Sequence, residues 1–169
     1  FRHQLEKDGI DLEMDVAEDT LSVRADASRL RQVMVNMISN AHHALKAKGS
    51  DKKLLRIITR NDERADGRMV RVEFYDNGVG IRRENMEKVF DPFFTTRRDS
   101  GGTGLGLSLS FGIIHDYGGK ITVESEEGSF TRFVVELPAD DSRGDEYGES
   151  FVGGRRAEHP LDDGGTAQA

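Results

Sequence analysis

The stretch DASRLRQVMVNMISNAHHALKAKG (residues 26–49) decides the fold of this chain. Its apolar residues recur at three- and four-residue steps, which is the pattern of a helix with one buried face. The apolar positions are Leu30, Val33, Met34, Met37, Ile38, Ala41 and Leu45. Asp26 offers a side-chain cap for the first turn, and Gly49 is a typical residue for a helix end. The sequence therefore predicts a long amphipathic helix that begins after Asp26 and runs to about Lys48.

Strand patterns lie on both sides of this helix. Upstream, residues 10–16 and 21–25 alternate apolar and polar side chains around a short turn, and we interpret them as a hairpin of two strands. Downstream, residues 54–60 and 69–76 show the same alternation and predict an antiparallel pair.

The second half of the chain contains a long loop, a second helix and two further strands. Residues 77–104 form a long loop rich in Gly, Arg and Phe, and a second helix begins near Gly104 and ends at Gly118. Two further strands, 120–125 and 130–137, finish at Pro138. This order predicts an α+β fold, a two-layer sandwich in which helices cover one face of a mixed, mostly antiparallel sheet.

Composition narrows the class of protein. The chain has 169 residues, a net charge of −7 and no cysteine. One domain is expected at this length, and the acidic balance argues against nucleic-acid binding. No apolar run reaches the roughly 18 residues of a membrane span, so this segment is expected to make no membrane contact and to lie in the cytoplasm.

We expect three parts along the chain. Residues 1–9 are interpreted as the end of a connecting segment, and residues 10–138 as the domain. Residues 139–169 are rich in Gly, Asp and Glu with few apolar anchors, and they predict a disordered acidic tail.

Two amides stand out on the first helix. Asn36 and Asn40 are one turn apart and share a face beside the apolar stripe. They are either ordinary surface amides, or the amide oxygen of Asn40 is a ligand for Mg²⁺, which accepts oxygen donors together with waters and phosphates.

A second motif, DNGVG (residues 76–80), directly follows a strand. Such a run is ordinarily a turn. The alternative is a purine pocket, in which the carboxylate of Asp76 accepts a hydrogen bond from the exocyclic amine of adenine. Gly78 and Gly80 would then let the backbone approach the ring closely.

The third motif is FDPFFTTRR (residues 90–98). Aromatic side chains are costly to expose in a polar loop, so we expect Phe90 and Phe93 to anchor the loop to the core. Thr95, Thr96 and Arg97 would then face phosphate oxygens.

The fourth motif is GGTGLGLS (residues 101–108), which enters the second helix. Glycines that leave backbone N–H groups accessible at a helix N-terminus form an anion site. The run is neither a Walker A loop nor a dinucleotide fingerprint, because it lacks GKS or GKT and does not follow a strand directly.

Together the four motifs resemble the N, G1, F and G2 boxes of the histidine kinase catalytic domain, a member of the GHKL superfamily with the Bergerat fold. The resemblance runs from about residue 12 to 138. It implies ATP and Mg²⁺ as ligands, with Asn40 on the metal, Asp76 on adenine and a lid at residues 81–103. The other implied nucleotide contacts are Asn36, His43, Gly78, Gly80, Ile81, Phe93, Thr95, Thr96, Arg97, Gly102, Thr103, Gly104, Leu105, Gly106 and Leu107.

Three positions depart from common patterns of the superfamily. His43 stands where these kinases often have a stronger base, so its contact with phosphate would depend on pH. Arg97 replaces a common lysine, which keeps the charge and adds donors. Asn36 stands where gyrase-like members carry the glutamate that activates water.

The third departure implies a mechanism. Because a carboxamide cannot accept the proton of water, the resemblance implies a site that holds Mg-ATP for transfer, with Asn36 and Arg97 as its catalytic residues. The acceptor would be a histidine on a separate dimerisation domain, and a response regulator would act downstream. None of His3, His42, His43, His115 and His159 lies in a phosphoacceptor motif.

Three alternatives remain open at this point. A serine kinase of the anti-sigma-factor type has a related fold and keeps the asparagine. A nucleotide-binding module without transfer activity would also keep the pocket. A gyrase-like clamp would need the glutamate and a transducer domain.

Overall fold

A computed structural model describes residues 1–49, 52–65, 67–97 and 102–140. Its helices are α1 (Arg2–Lys7), α2 (Ala27–Ala47) and α3 (Gly106–Asp116), with a 3₁₀ helix at Arg83–Lys88. Its strands are β1 (Ile10–Val16), β2 (Lys53–Arg64), β3 (Gly67–Asp76), β4 (Lys120–Glu126) and β5 (Phe130–Pro138). Within this part of the chain, no helix is both long enough and apolar enough to cross a bilayer.

The strands form one sheet in the order β1-β2-β3-β5-β4. β1 pairs with β2 in parallel, and the other three pairings are antiparallel. The helices cover one face, where their apolar stripes meet the inward side chains of the strands. The predicted α+β fold with a mixed, mostly antiparallel sheet is therefore confirmed.

The predicted hairpin between residues 10–16 and 21–25 is wrong. β1 finds its partner beyond α2, in register from Ile10 opposite Lys53 to Val16 opposite Thr59. Residues 21–25 hold only an isolated bridge, from Val23 to Ala139. Alternation of apolar and polar residues identifies a strand, but it carries no information about which strand lies beside it.

Side chains of β2 replace the missing hairpin bonds. Thr59 Oγ1 accepts a hydrogen bond from the amide of Ala17 (3.0 Å), and Asn61 Oδ1 accepts one from the amide of Leu21 (3.0 Å). The segment between β1 and α2 therefore follows β2 without adding a strand to the sheet.

The long helix is confirmed as α2. The carboxylate of Asp26 accepts hydrogen bonds from the amides of Ser28 (2.8 Å) and Arg29 (2.9 Å), which caps the first turn. Its fully buried stripe consists of Val33, Met37, Ala41 and Leu45. Since these residues lie one turn apart, they fix which face of α2 meets the sheet and which face lies outside the core.

Residues on both sides of the predicted domain, 10–138, contact it. Leu5 of α1 is 1% exposed and belongs to the core, so the first residues pack onto the domain. At the other end, the amide of Ala139 donates to the carbonyl of Arg68 (2.9 Å), and that of Asp140 to Ser22 (2.7 Å). Residues 141–169, where most of the acidic tail is predicted, lie outside the described residues.

Candidate functional site

A cavity of about 560 Å³ opens between α2, the loop after β3 and the N-terminus of α3. Most of the predicted site residues line it: Asn36, Asn40, His43, Gly80, Ile81, Thr95, Thr96, Arg97, Gly102, Thr103, Gly104, Gly106 and Leu107. Four others do not reach the lining: Asp76, Gly78, Phe93 and Leu105. Motifs from four separate parts of the sequence thus meet around one space.

Asp76 lies below the floor of this cavity, at the last position of β3. It is 3% exposed, and its Oδ1 accepts a hydrogen bond from the amide of Gly78 (2.9 Å). Burial raises the pKa of Asp76 from 3.8 to about 7, although the Gly78 amide and the charge of Lys48 both lower it. A buried carboxyl that titrates near neutrality is a candidate functional group, because ordinary folding gives no reason to keep it there.

The loop that follows Asp76 is held against the β4–β5 turn. The amide of Gly128 donates to the carbonyl of Val79 (2.7 Å), and the amide of Ile81 donates to Ser125 Oγ (2.9 Å). Gly80 has φ 67°, and a Cβ there would lie 2.0 Å from the carbonyl oxygen of Glu126. Only glycine fits this position, which explains the second glycine of the motif.

Asn36 and Asn40 share the face of α2 that lines the cavity, as their spacing predicts. Asn36 Nδ2 donates to the carbonyl of Gly106 (3.0 Å) and to Ser110 Oγ (3.0 Å). A carboxylate could not make the bond to the Gly106 carbonyl, since it has no proton to donate, and it could meet Ser110 only if that hydroxyl turned to donate. The amide is therefore built into the contact between α2 and α3.

Arg97 meets Asn40 across the cavity. Arg97 Nη2 donates to Asn40 Oδ1 (3.2 Å), the oxygen that the sequence assigns to a metal. The backbone of Arg97 is held by Thr95 Oγ1 (3.0 Å) and by the amide of Gly102 (3.0 Å).

His43 lies at the cavity edge with an exposed side chain. Its Nδ1 is 2.5 Å from the carbonyl oxygen of Ser39. Desolvation lowers the pKa of His43 below 6.5, and the nearby charge of Arg97 acts in the same direction. In the neutral form the single N–H of the imidazole is donated to the Ser39 carbonyl, so a hydrogen bond from Nε2 to a phosphate would require the protonated ring.

The prediction for the two phenylalanines is half right. Phe90 packs against the core, with its ring centroid 5.5 Å from that of Phe111 and 6.4 Å from that of Phe133. The prediction that Phe93 is a core anchor is wrong, because its side chain is 68% exposed. Phe93 has φ 65°, a conformation that turns its side chain away, and Phe94 lines the cavity in its place.

The glycine run forms the entry to α3. The carbonyl of Gly104 accepts a hydrogen bond from the amide of Phe93 (3.0 Å), and Gly104 itself has φ 69°. A Cβ at Gly104 would lie 2.5 Å from the carbonyl carbon of Phe93. This close contact brings the N-terminus of α3 to the cavity, where the amides of the first turn have no partner within the helix.

Sequence reasoning missed Thr131 and Ser110. Thr131 lies opposite Asp76 in the β3–β5 register, is 3% exposed and lines the cavity. Ser110 is fully buried in α3 beside Asn36. Each is a small polar residue at an inward position where the rest of the element is apolar. A polar residue at such a position could have identified both from the sequence.

Oxygen ligands for a metal are few. Within the part of the chain that the structure describes, no three His, Cys, Asp or Glu side chains come together as a metal cluster. Asn40 supplies one amide oxygen at the cavity wall. A single oxygen suits Mg²⁺, which completes its shell with water and phosphate oxygens, and does not suit a metal that needs a protein cage.

The cavity walls, the buried carboxyl behind them and the helix N-terminus together form one candidate site for an anionic ligand. The family model for histidine kinase-, DNA gyrase B- and HSP90-like ATPases matches residues 25–141, and the chain belongs to this family.

Within that family, the similar proteins are histidine kinases. The catalytic domain of the histidine kinase ThkA has 35% identity and a TM-score of 0.68, over 82% of this chain and 86% of that one. Sensor kinase CckA of Brucella abortus is 38% identical over 76% of this chain and 14% of its own length. Sensor histidine kinase ZraS of Klebsiella oxytoca is 37% identical over 75% of this chain and 25% of its own length. The chain therefore spans a minor part of the curated relatives it matches.

Proposed function

We propose that this chain is the ATP-binding catalytic domain of a sensor histidine kinase in two-component signalling. It would bind Mg-ATP and transfer the γ-phosphoryl group to a histidine on a separate dimerisation domain. The observation that carries the proposal is the meeting of the four motifs around one cavity, with a buried carboxyl behind its lining and a helix N-terminus at its wall.

In this proposal, Asp76 recognises adenine. Its carboxylate accepts a hydrogen bond from the exocyclic amine, while the glycines at 78 and 80 keep the backbone close to the ring. Thr131 lies beside it on β5 and offers a hydroxyl at the same depth. The adenine pocket thus discriminates by a hydrogen bond that a base lacking the amine cannot make.

In this proposal, the phosphates bind where the N-terminus of α3 reaches the cavity. The amides of the first turn of α3 and the dipole of that helix favour an anion there, and Thr95, Thr96 and Arg97 add hydroxyls and a cation. Asn40 would hold Mg²⁺, which when bound neutralises phosphate oxygens. Arg97, which donates to the same Asn40 oxygen, is placed to turn toward the phosphates.

The structure around Asn36 supports transfer over hydrolysis. Its amide nitrogen donates to two acceptors on α3, so the side chain is held as an amide and cannot accept a proton from water. With no base for water in this position, the proposal places the attacking group on the separate acceptor domain. In the proposed reaction, the imidazole nitrogen of the acceptor forms a bond to the γ-phosphorus as the bond to the ADP oxygen breaks.

The proposed partners follow from this chemistry. ThkA has been solved in complex with the response regulator TrrA, and that histidine kinase is 33% identical to this chain over 83% of it. We propose a response regulator as the downstream partner here, a dimerisation domain as the acceptor, and the cytoplasm as the location. Residues 1–9 would join the two domains, with 10–138 as the catalytic part and 139–169 as a tail.

The test mixes the chain with dimerisation domains of related sensor kinases and ATP labelled on the γ-phosphate. We expect Mg-dependent label on the acceptor, stable to base and labile to acid, and no transfer by the Asp76→Asn variant. Acid-stable label would indicate a serine kinase. Nucleotide binding without any label on several acceptors would indicate a binding module without transfer activity.

A further inference from the structure

We propose that Lys48 is a positioning residue of the adenine subsite. From the end of α2 it holds the backbone that follows Asp76 and places a positive charge beside that buried carboxylate, which keeps it ready to accept the amine of adenine. The proposal rests on the proposed function, because it assumes that Asp76 reads the base.

The hydrogen bonds of Lys48 supply the first argument. Lys48 caps the C-terminus of α2, where its amide donates to the carbonyl of Leu45 (3.2 Å). Its Nζ donates to the carbonyl oxygen of Asn77 (2.5 Å). One turn earlier, the carbonyl of Ala44 accepts a hydrogen bond from the amide of Val79 (3.3 Å). The end of α2 therefore holds the loop at two points, one on each side of Gly78.

Asn77 shows why the bond from Lys48 matters. Its amide donates to the carbonyl of Leu54 (3.2 Å), and its Oδ1 accepts from the amide of Leu54 (2.8 Å). Its Nδ2 donates to the carbonyl of Lys52 (3.0 Å). These bonds tie Asn77 to the start of β2 and leave its own carbonyl for Lys48. Loss of the lysine would free this carbonyl while the bonds to β2 remain, so the fold should survive the substitution.

Charge supplies the second argument. Neighbouring strands bring Leu55 and Thr131 alongside Asp76 in register, and neither is charged. α2 brings the uncharged Ala44 against the same loop and Lys48 at its end. Lys48 is the cation whose charge lowers the pKa of Asp76, against the larger effect of burial. An opposite charge near a buried carboxyl favours its ionised form.

The experiment compares Lys48→Met with Lys48→Arg, and with Lys52→Met as the matched control. Lys52 has a side chain that is 79% exposed, and it pairs with Asp11, so its loss removes the same charge from the surface. The pKa of the Asp76 carboxyl is measured by NMR in each nucleotide-free protein, and the affinity for ADP is measured from pH 5.5 to 9.

In Lys48→Met, we expect the pKa of Asp76 to rise by up to about one unit, which makes ADP binding at pH 7 up to about fivefold weaker. Lys48→Arg should restore both values, and Lys52→Met should match the parent protein. An unchanged pKa of Asp76 in Lys48→Met would overturn the proposal whatever happens to the affinity. Undiminished ADP binding by Asp76→Asn would instead overturn the assignment of adenine to Asp76.

Discussion

The buried carboxyl of Asp76 should make the nucleotide-free protein less stable as the pH rises. The folded state raises the pKa of Asp76 from 3.8 to about 7, so between these values the folded chain keeps a proton that the unfolded chain has released. The free energy of unfolding therefore falls through this window, by about 1.4 kcal/mol per pH unit. Stability is fully present below the lower pKa and lost as pH approaches the upper one.

Asp76→Asn removes the titration and keeps the shape. The variant amide still offers an oxygen to the amide of Gly78, which donates to Asp76 Oδ1 at 2.9 Å. The variant and the parent should be about equally stable near pH 4. Over roughly three pH units, the variant should gain about 4 kcal/mol relative to the parent, an upper value because the carboxyl keeps some contact with solvent.

Urea unfolding followed by circular dichroism at pH 5, 6, 7 and 8 measures this difference without nucleotide. Asp91→Asn is the control, since Asp91 is an exposed residue and reports the loss of a surface charge alone. A difference between variant and parent that stays constant from pH 5 to 7, or that decreases, would refute the reasoning.

The same variant should lose the function that the carboxyl serves. Stabilisation by ADP grows with the logarithm of its affinity, so a concentration that saturates the parent should raise the unfolding temperature of the parent and barely change that of Asp76→Asn. A residue whose removal strengthens the fold and weakens binding is one that folding alone would not keep.

Further substitutions test the walls of the site by urea unfolding. Gly80→Ala should unfold at lower urea, because its Cβ would lie 2.0 Å from a carbonyl oxygen at the end of β4, whereas Gly112→Ala meets nothing within 4 Å and should stabilise α3 by up to about 1 kcal/mol. Phe90→Ala should cost about 3 kcal/mol through lost packing, and Phe93→Ala less than about 0.5 kcal/mol, since Phe93 is 68% exposed. Asn36→Asp should cost about 2 kcal/mol, because a carboxylate loses both donated bonds and faces a carbonyl oxygen of α3.

Each of these has a clear contrary result. Equal effects of alanine at Gly80 and Gly112 would show that Gly80 makes no close contact with the β4–β5 turn. A large cost at Phe93 would mean that its ring packs against the domain. An Asn36→Asp protein as stable as the parent would show that the amide donates no bond to α3.

Much of the fold could be predicted because its signals are local. The stripe of α2 and the cap at Asp26 depend on residues within one or two helical turns of each other. Most of the strands were recognised from their alternation, and the side chains of Asn36 and Asn40 share a face because helix geometry requires it. The four motifs were recognised from short runs of neighbouring residues, and most of their predicted site residues line one cavity.

The remaining features depend on tertiary contacts. The pairing of β1 with β2, across α2, depends on how the whole sheet assembles, and alternation is the same whichever strand lies alongside. The outward turn of Phe93 follows from a backbone angle that is set by its contact with Gly104. Thr131 lies opposite Asp76 on β5, and Lys48 at the end of α2 donates to the carbonyl of Asn77, the next residue; both are far from Asp76 in the sequence.

The sequence by itself therefore determined the secondary structure and the residue types that a nucleotide site needs. The tertiary structure decided which of them meet, how deeply Asp76 is buried and which charge lies near it. Burial and proximity are properties of the packed chain, and they set the pKa of Asp76 and the donors around Asn36. No local pattern of residues contains that information.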